Sequence, residues 1–499
     1  MQNSDSQNAP IQRRTWTPKY HFFKKGHWLN DPNGLFYFND TYHLFFQLNP
    51  DDTVWGNMHW GHAVSTDLIA WEHKPTAIYA EPDGLGYIFS GGAIVDHFNS
   101  SGFAEDDTPP IIATFTQHSK AEEQVQSIAY SLDEGETFTM FENNPVIPNP
   151  GLKDFRDPKV IWFEKEQVWI KSVVAGQCVH FYQSKNLQEW SKTSEFGEGY
   201  GAHGGVWECP DLFPLVCKDT GKELWVLIIS INPGGPNGGS ATQYFIGNFD
   251  GKAFHPIDRE IRWLDYGTDC YAAITWDNTP NIQNERTYVG WMSNWKYANE
   301  TPDNSWRGAM TVPRNLSLHQ TNLGFALRTV PTADFSTITH EVKKIENLTH
   351  PISVPEAYSM HFVLAADSQA TTITWKNDLD QKFNLNIDLA NLQLLADRTD
   401  AGFTDKGFAS VATVPLQSPL GKTIKFDIFM DACSIEIFID DGLYCCTMLL
   451  FPSTPLEEII ISENQIDKNI SDLTFHFFDS SVSTSSEPLS THTEIESIN

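Results

Sequence analysis

One short pattern returns along the first half of this chain and limits what it can fold into. Ser65-Thr66-Asp67-Leu68-Ile69-Ala70-Trp71 recurs as Ser184-Lys185-Asn186-Leu187-Gln188-Glu189-Trp190. Between them, Ser131-Leu132-Asp133-Glu134-Gly135-Glu136-Thr137-Phe138 has the same strand–turn–aromatic outline, and Gly247-Asn248-Phe249-Asp250-Gly251-Lys252-Ala253-Phe254 is a looser echo. The starts lie 66, 53 and 63 residues apart. One four-stranded propeller blade with generous loops occupies about that length, so roughly 330 residues at this period make five blades.

The surrounding sequence agrees. Short apolar runs punctuated by turns dominate (GLFYF, YHLFFQL, IIATFT, VWIKSVV, ELWVLIISI), and long helical periodicity is hard to find. Such a pattern predicts an all-β fold. A chain of 499 residues is too long for one ordinary core, and its character changes after Pro331. Residues 333–350 are polar and read as a linker. Alternating runs such as SMHFVLAA, KFNLNIDLA and SIEIFID predict an antiparallel β-sandwich. The expected division is a five-bladed β-propeller over 15–332, a linker over 333–350, a β-sandwich over 351–480 and a flexible tail over 481–499.

Charge narrows the partners. With 33 Lys and Arg against 64 Asp and Glu, the net charge is −31. A field of that sign repels phosphate backbones and anionic membranes and is indifferent to a neutral substrate, so neither nucleic acid nor membrane is expected as a partner. The seven cysteines form no C-x-x-C pair, and no H-E-x-x-H occurs, which argues against a disulfide framework and a zinc site. No apolar run approaches the length of about 18 residues that spans a bilayer. The start, MQNSDSQNAPIQRR, lacks the apolar core of a signal peptide. As written the chain reads as cytoplasmic; a secreted chain whose leader had been removed would read the same.

Three acidic residues keep unusual company. Asp31 lies in Trp28-Leu29-Asn30-Asp31-Pro32-Asn33-Gly34, Asp157 in Phe155-Arg156-Asp157-Pro158, and Glu208 in Trp207-Glu208-Cys209-Pro210. In apolar strings beside aromatic or basic side chains, a carboxyl can have its orientation fixed and its pKa moved. Taken singly, Asp31 to Gly34 reads as a β-turn, Arg156-Asp157 as a charge pair at a strand end, and Glu208 as a buried carboxyl bonded to backbone. Carried together by three blades, whose innermost strands face one channel, the three can converge at its mouth. A sugar hydrolase needs two such groups, a nucleophile and a proton donor.

These three motifs, in this order, resemble those of glycoside hydrolase family 32, the β-fructofuranosidases, exo-inulinases and levanases. The resemblance runs from about Tyr20 to the end of the sandwich and implies a five-bladed propeller followed by a β-sandwich. It implies Asp31 as nucleophile at the fructosyl C2, Glu208 as acid/base and Asp157 as transition-state stabiliser, with configuration retained and the Asp31 and Glu208 carboxyls about 5–5.5 Å apart. Trp28, Asn30, Gln47, Trp55, Phe89, Ser90, Arg156 and Trp295 would hold the fructose, with Asp269 and Tyr271 as outer members. Arg156 could keep Asp157 ionised, although adjacent side chains on a regular strand point to opposite faces.

The implied partner is a carbohydrate, fructan or sucrose. No metal and no organic cofactor are implied, and a homodimer through the sandwich stays open. Trp55-Gly56-Asn57-Met58-His59-Trp60-Gly61-His62 and the glycine-rich Asn232-Pro233-Gly234-Gly235-Pro236-Asn237-Gly238-Gly239-Ser240 look most like fructan-degrading members. The expected activity is release of terminal fructose from inulin or levan, with sucrose also cleaved. A sucrose-specialised invertase, an endo-levanase and a fructosyltransferase are the enzymatic alternatives. A fructan-binding propeller is the non-enzymatic one, disfavoured because a pure binder has no need of nucleophile and acid together.

Overall fold

A computed structural model describes residues 14–345, 351–368, 370–417, 421–462 and 470–479. Five antiparallel sheets follow one another along the first part of the chain. Their first strands are Trp28–Phe38, Tyr87–Val95, Phe155–Phe163, Val206–Val216 and Tyr271–Thr275. Each first strand touches the next, and the fifth touches the first, so the five close a ring around a central channel. The remaining strands of each sheet step outward, which makes each sheet a blade. A blade is covered on both faces by its neighbours, and its middle strands therefore read as continuous apolar runs. In Glu223–Asn232 every position from Leu224 to Ile231 is buried.

The repeat seen in the sequence is the turn from the third to the fourth strand of a blade. Ser65 Oγ accepts the amides of Asp67 (3.2 Å) and Leu68 (2.8 Å), and Asp67 Oδ1 accepts those of Ile69 and Ala70 (both 2.8 Å). Ser184 and Asn186 make the same four bonds to residues 186–189. Ser131 and Asp133 repeat the scheme with a longer turn, and Asp250 supplies its second half. Side-chain acceptors of this kind bond the backbone within the turn itself. The fifth blade turns tightly from Thr321 to Gly324, which is why no fifth echo exists.

Two six-stranded antiparallel sheets form the sandwich. Several strands alternate, as in Tyr358–Ala365, where every second side chain enters the core, whereas Ser434–Ile439 and Tyr444–Leu449 are buried at every position. One expectation needs correction. Within the presumed linker, Phe335–Ile338 is a 3-10 turn and Thr339–Lys344 is an edge strand of the sandwich, paired with Ile470–Phe478. Residues 340–344 are all exposed, so this edge carries no apolar alternation to read. Residues 346–350 and the expected tail over 481–499 lie outside the described residues.

Propeller and sandwich meet across shared apolar clusters, in which Phe23, Met292 and Trp306 pack with Phe408, Leu449 and Phe451, and across buried polar bonds. Tyr266 N donates to Cys445 O (2.8 Å) and Asp269 N to Thr447 O (3.1 Å), so the lead-in to the fifth blade pairs with the strand Tyr444–Leu449. Nearby, the buried Arg314 reaches Asp265 (2.9 Å) and Glu436.

Candidate active site

All five inner strands break register at the same level. The shifts lie between Leu29 and Pro32, Ile88 and Gly91, Glu208 and Asp211, and Tyr271 and Ile274, and in the third blade opposite Ser172 to Val174, at Arg156 to Lys159. Three of these bulges hold a non-glycine residue at positive φ: Asp157 (63°), Cys209 (48°) and Ala272 (52°). The prolines of the three motifs, Pro32, Pro158 and Pro210, fall in bulges, where a missing N–H interrupts no ladder bond. Asp31 to Gly34 is accordingly part of a bulged strand and not a turn.

A bulge also lifts the alternation that would send neighbouring side chains to opposite faces. Asn30 with Asp31, Phe89 with Ser90, and Arg156 with Asp157 all line one cavity of about 450 Å³ at the channel mouth. Gln47, Trp55, Glu208 and Trp295 complete the expected lining. The three motif carboxylates thus arrive from the first, third and fourth blades.

Their surroundings differ. Asp31 Oδ2 accepts from Ser90 Oγ at 2.6 Å, and Oδ1 from Asn30 Nδ2 at 3.0 Å. Asn30 is itself braced by Trp28 Nε1 at 2.7 Å. Cys209 ties two carboxylates together: its amide donates to Asp157 Oδ2 at 3.0 Å, and its Sγ lies 3.6 Å from Asp31 Oδ2 and 3.7 Å from Asp157 Oδ2. Glu208 Oε1 accepts from Arg156 Nη2 (2.9 Å) and Nε (3.2 Å), while Tyr271 donates its hydroxyl to Oε2. Arg156 Nη1 is held by Asp154 at 2.7 Å.

Burial is the leading electrostatic effect. It raises Asp31, with help from the Glu208 charge and against the bonds from Ser90 and Asn30. It lifts Asp157 to about 7; Arg156 pulls that carboxyl down, and Glu208 and Asp31 push it up. Burial raises the Tyr271 phenol as well, reinforced by Glu208, so Tyr271 stays a donor.

Three expected residues sit differently from the rest. Trp28 is fully buried behind the wall, stacked on Trp295 at 5.9 Å. Tyr271 acts from behind Glu208. Asp269 does not reach the cavity: it is buried against the sandwich, bonded to Arg398 at 2.7 Å, so its place as an outer sugar contact is withdrawn. Its acidity reads alike in sequence whether it faces sugar or arginine. Five further residues line the cavity without having been anticipated: His118, Glu122, Gln124, Lys153 and Asp154. Asp154 stands two positions before Arg156 and could have been read from the second motif. The others come from a blade-two hairpin and a loop with no distinctive chemistry. Among the described residues no group of three or more His, Cys, Asp or Glu is arranged to hold a metal ion.

Three differently held carboxylates, Asp157 buried and Asp31 and Glu208 partly so, in an aromatic-walled, hydroxyl- and amide-lined cavity suit acid–base and nucleophilic work on a polyol. Similar proteins agree. Residues 21–326 match the glycosyl hydrolases family 32 N-terminal domain, and residues 317–477 match the glycosyl hydrolases family 32 C terminal. A levanase of Bacillus subtilis is 40% identical over 491 residues, covering 95% of this chain and 72% of that protein. An extracellular exo-inulinase of Aspergillus awamori is 38% identical over 483 residues, covering 87% of this chain and 89% of its own. The crystal structure of exo-inulinase from Aspergillus awamori superposes with a TM-score of 0.86 at 34% identity, over 94% of this chain and 99% of the other. A fructofuranosidase variant from Schwanniomyces occidentalis, complexed with fructosylnystose, gives 0.84 at 30% identity, over 93% and 97%. With both domain families matched in order along the propeller and the sandwich, the chain belongs to glycosyl hydrolase family 32.

Proposed function

We propose that this chain is a retaining β-fructosidase that releases terminal non-reducing β-D-fructofuranosyl residues from fructans and also cleaves sucrose. The observation that carries the reading is the meeting of Asp31, Asp157 and Glu208 in one cavity, from three blades. The levanase and exo-inulinase relatives support the fructan substrate.

In this reading Asp31, its Oδ2 oriented by Ser90 and Oδ1 by Asn30, attacks C2 of the fructosyl unit. Glu208 hands a proton to the departing oxygen and later takes one from the water that releases fructose. Asp157 accepts hydrogen bonds from ring hydroxyls that strengthen as positive charge develops at C2. Two carboxylates suffice for both displacements, so no cofactor enters. Trp55, Phe89 and Trp295 offer faces to the apolar side of the sugar, and Gln47 and Arg156 offer donors.

Incubating the purified protein separately with sucrose, inulin and levan, beside an Asp31→Ala control, tests this. Free fructose from the start of polymer digestion, lost in the control, is the expected result. Early oligosaccharides from levan would mean internal cleavage, and turnover of sucrose alone would mean an invertase. Transfer products at high sucrose would mean a fructosyltransferase. Release from none of them by a folded protein would leave a fructan-binding propeller.

A further inference from the structure

We propose that Arg398, on the sandwich strand Gln393–Asp400, is a positioning residue for the reaction. Through Asp269 and Tyr297 it holds the two segments that bring Tyr271 to Glu208 and Trp295 to the cavity wall. The inference rests on the β-fructosidase reading and gives the sandwich a part in it.

Arg398 is wholly buried, and each of its nitrogens has a partner. Nη1 donates to Asp269 Oδ2 (2.7 Å) and Leu449 O (3.0 Å), Nη2 to Tyr297 Oη (2.7 Å), and Nε to Phe408 O (2.7 Å). Its guanidinium lies 3.7 Å from the centre of the Phe408 ring. The Tyr297 hydroxyl closes the triangle by donating to Asp269 Oδ1 at 2.7 Å.

From this triangle the chain runs two residues each way to the site. Two residues after Asp269 comes Tyr271, which donates to Glu208. Two residues before Tyr297 comes Trp295, which lines the cavity. Asn294 couples the two segments, its Nδ2 donating to Thr268 O at 2.7 Å. The glycine-rich turn adds a third support: Ser240 Oγ accepts the Trp295 amide at 3.0 Å. A Cβ on Gly239, at φ 71°, would fall 2.3 Å from Asn294 Oδ1, so only glycine lets the turn close on that asparagine.

A domain seam meant only to be stable has a cheaper solution. Replacing a buried ion pair by packed apolar side chains is often neutral or stabilising, whereas a fixed guanidinium fork specifies direction. Direction is what Tyr271 and Trp295 require, since misplacing a reacting group by about 1 Å can cost on the order of 100-fold in rate.

The test uses the full chain with Arg398→Met, Arg398→Lys and Tyr297→Phe. The last deletes one hydroxyl and leaves the Arg398–Asp269 bond in place. Steady-state kinetics on sucrose are paired with the emission of Trp295, obtained by subtracting the spectrum of Trp295→Phe in each background. We expect kcat/KM to fall roughly tenfold or more in Arg398→Met and Tyr297→Phe, with a shifted Trp295 emission and partial recovery in Arg398→Lys. Folded Tyr297→Phe and Arg398→Met proteins with wild-type kcat, KM and Trp295 emission, differing only in thermal midpoint, would overturn the proposal. If Arg398→Met does not fold, Tyr297→Phe decides alone. Should the wild type itself release no fructose from sucrose, inulin or levan, the β-fructosidase reading fails, and the emission comparison still decides whether Arg398 positions Trp295.

Discussion

Arg156 reaches Glu208 with two nitrogens, Nη2 at 2.9 Å and Nε at 3.2 Å from the same Oε1, while Nη1 is tied to Asp154 at 2.7 Å. The guanidinium is also the charge that opposes burial at its chain neighbour Asp157, whose pKa stands at about 7 even so. Remove it, and burial together with Glu208 and Asp31 pushes Asp157 higher still. At a given pH a smaller fraction is then ionised. Arg156→Gln should therefore move the acidic limb of the kcat/KM profile to higher pH and lower its plateau by roughly 100-fold. Arg156→Lys keeps a charge without the fork, so it should restore the limb more than the plateau. An unmoved acidic limb in Arg156→Gln would show that Asp157 does not govern it.

Asp157 should also weaken the fold it serves. Its folded pKa is raised from 3.8 to about 7, chiefly by burial. Below pH 3.8 the carboxyl is protonated in both states and contributes nothing. As pH rises from there through 7, the unfolded chain ionises freely while the folded one resists, so stability is lost across that window. Asp157→Asn should be inactive yet more stable at pH 8 by about 1–3 kcal/mol, with the gap closing towards pH 4. Denaturant unfolding at the two pH values reads this directly. A variant no more stable than wild type at pH 8 would mean that the folded protein holds Asp157 ionised without cost.

Much of this was legible from residues alone, for physical reasons. The Ser-x-Asp/Asn turn has side-chain acceptors satisfying its own backbone, so it leaves the same letters wherever a blade makes it. The X-Pro pairs at Asp31, Asp157 and Cys209 marked places where a ladder tolerates a missing donor. Locally the first reads as a turn and the second as a strand end, and only the assembled ring shows all three to be bulges. The strand Thr339–Lys344 was hidden because an exposed edge needs no apolar rhythm. Asp269 misled because its partner, Arg398, is 129 residues away, a distance no local pattern spans. Glu122 and Lys153 reach the cavity from loops whose course depends on blade geometry.

Trp55 is the exposed member of the aromatic wall, 45% accessible, and meets Phe89 and Trp295 edge-on with centroids 6.3 and 6.2 Å apart. So large an indole left in water gains most when a sugar ring covers it. Trp55→Ala should raise KM roughly 5- to 30-fold with little change in kcat, because the lost contact serves bound substrate and transition state alike. Its exposure means little packing is lost, so the thermal midpoint should hardly move. A fall in kcat at constant KM would instead place Trp55 at the reacting centre.

At the seam between the domains, His21 offers a pH test remote from the cavity. Its ring is buried, with Nδ1 2.7 Å from Asp431 Oδ2 and Nε2 2.7 Å from Glu436 Oε1. Burial by itself would lower its pKa, but hydrogen bonds to the two carboxylates outweigh that and raise it to about 9 from 6.5. A folded pKa above the unfolded one means that the stabilisation is complete below pH 6.5 and disappears as pH rises through 9. The shift corresponds to roughly 3 kcal/mol. Wild type should thus lose stability steadily between pH 6.5 and 9. His21→Gln, whose amide nitrogen can donate to one of the carboxylates and which cannot titrate, should start lower and show a flatter profile, the gap narrowing towards pH 9.5. Thermal midpoints of both proteins across pH 6 to 10 make the comparison. Parallel curves, with a gap independent of pH, would mean that the imidazole bridging Asp431 and Glu436 does not change charge in this window.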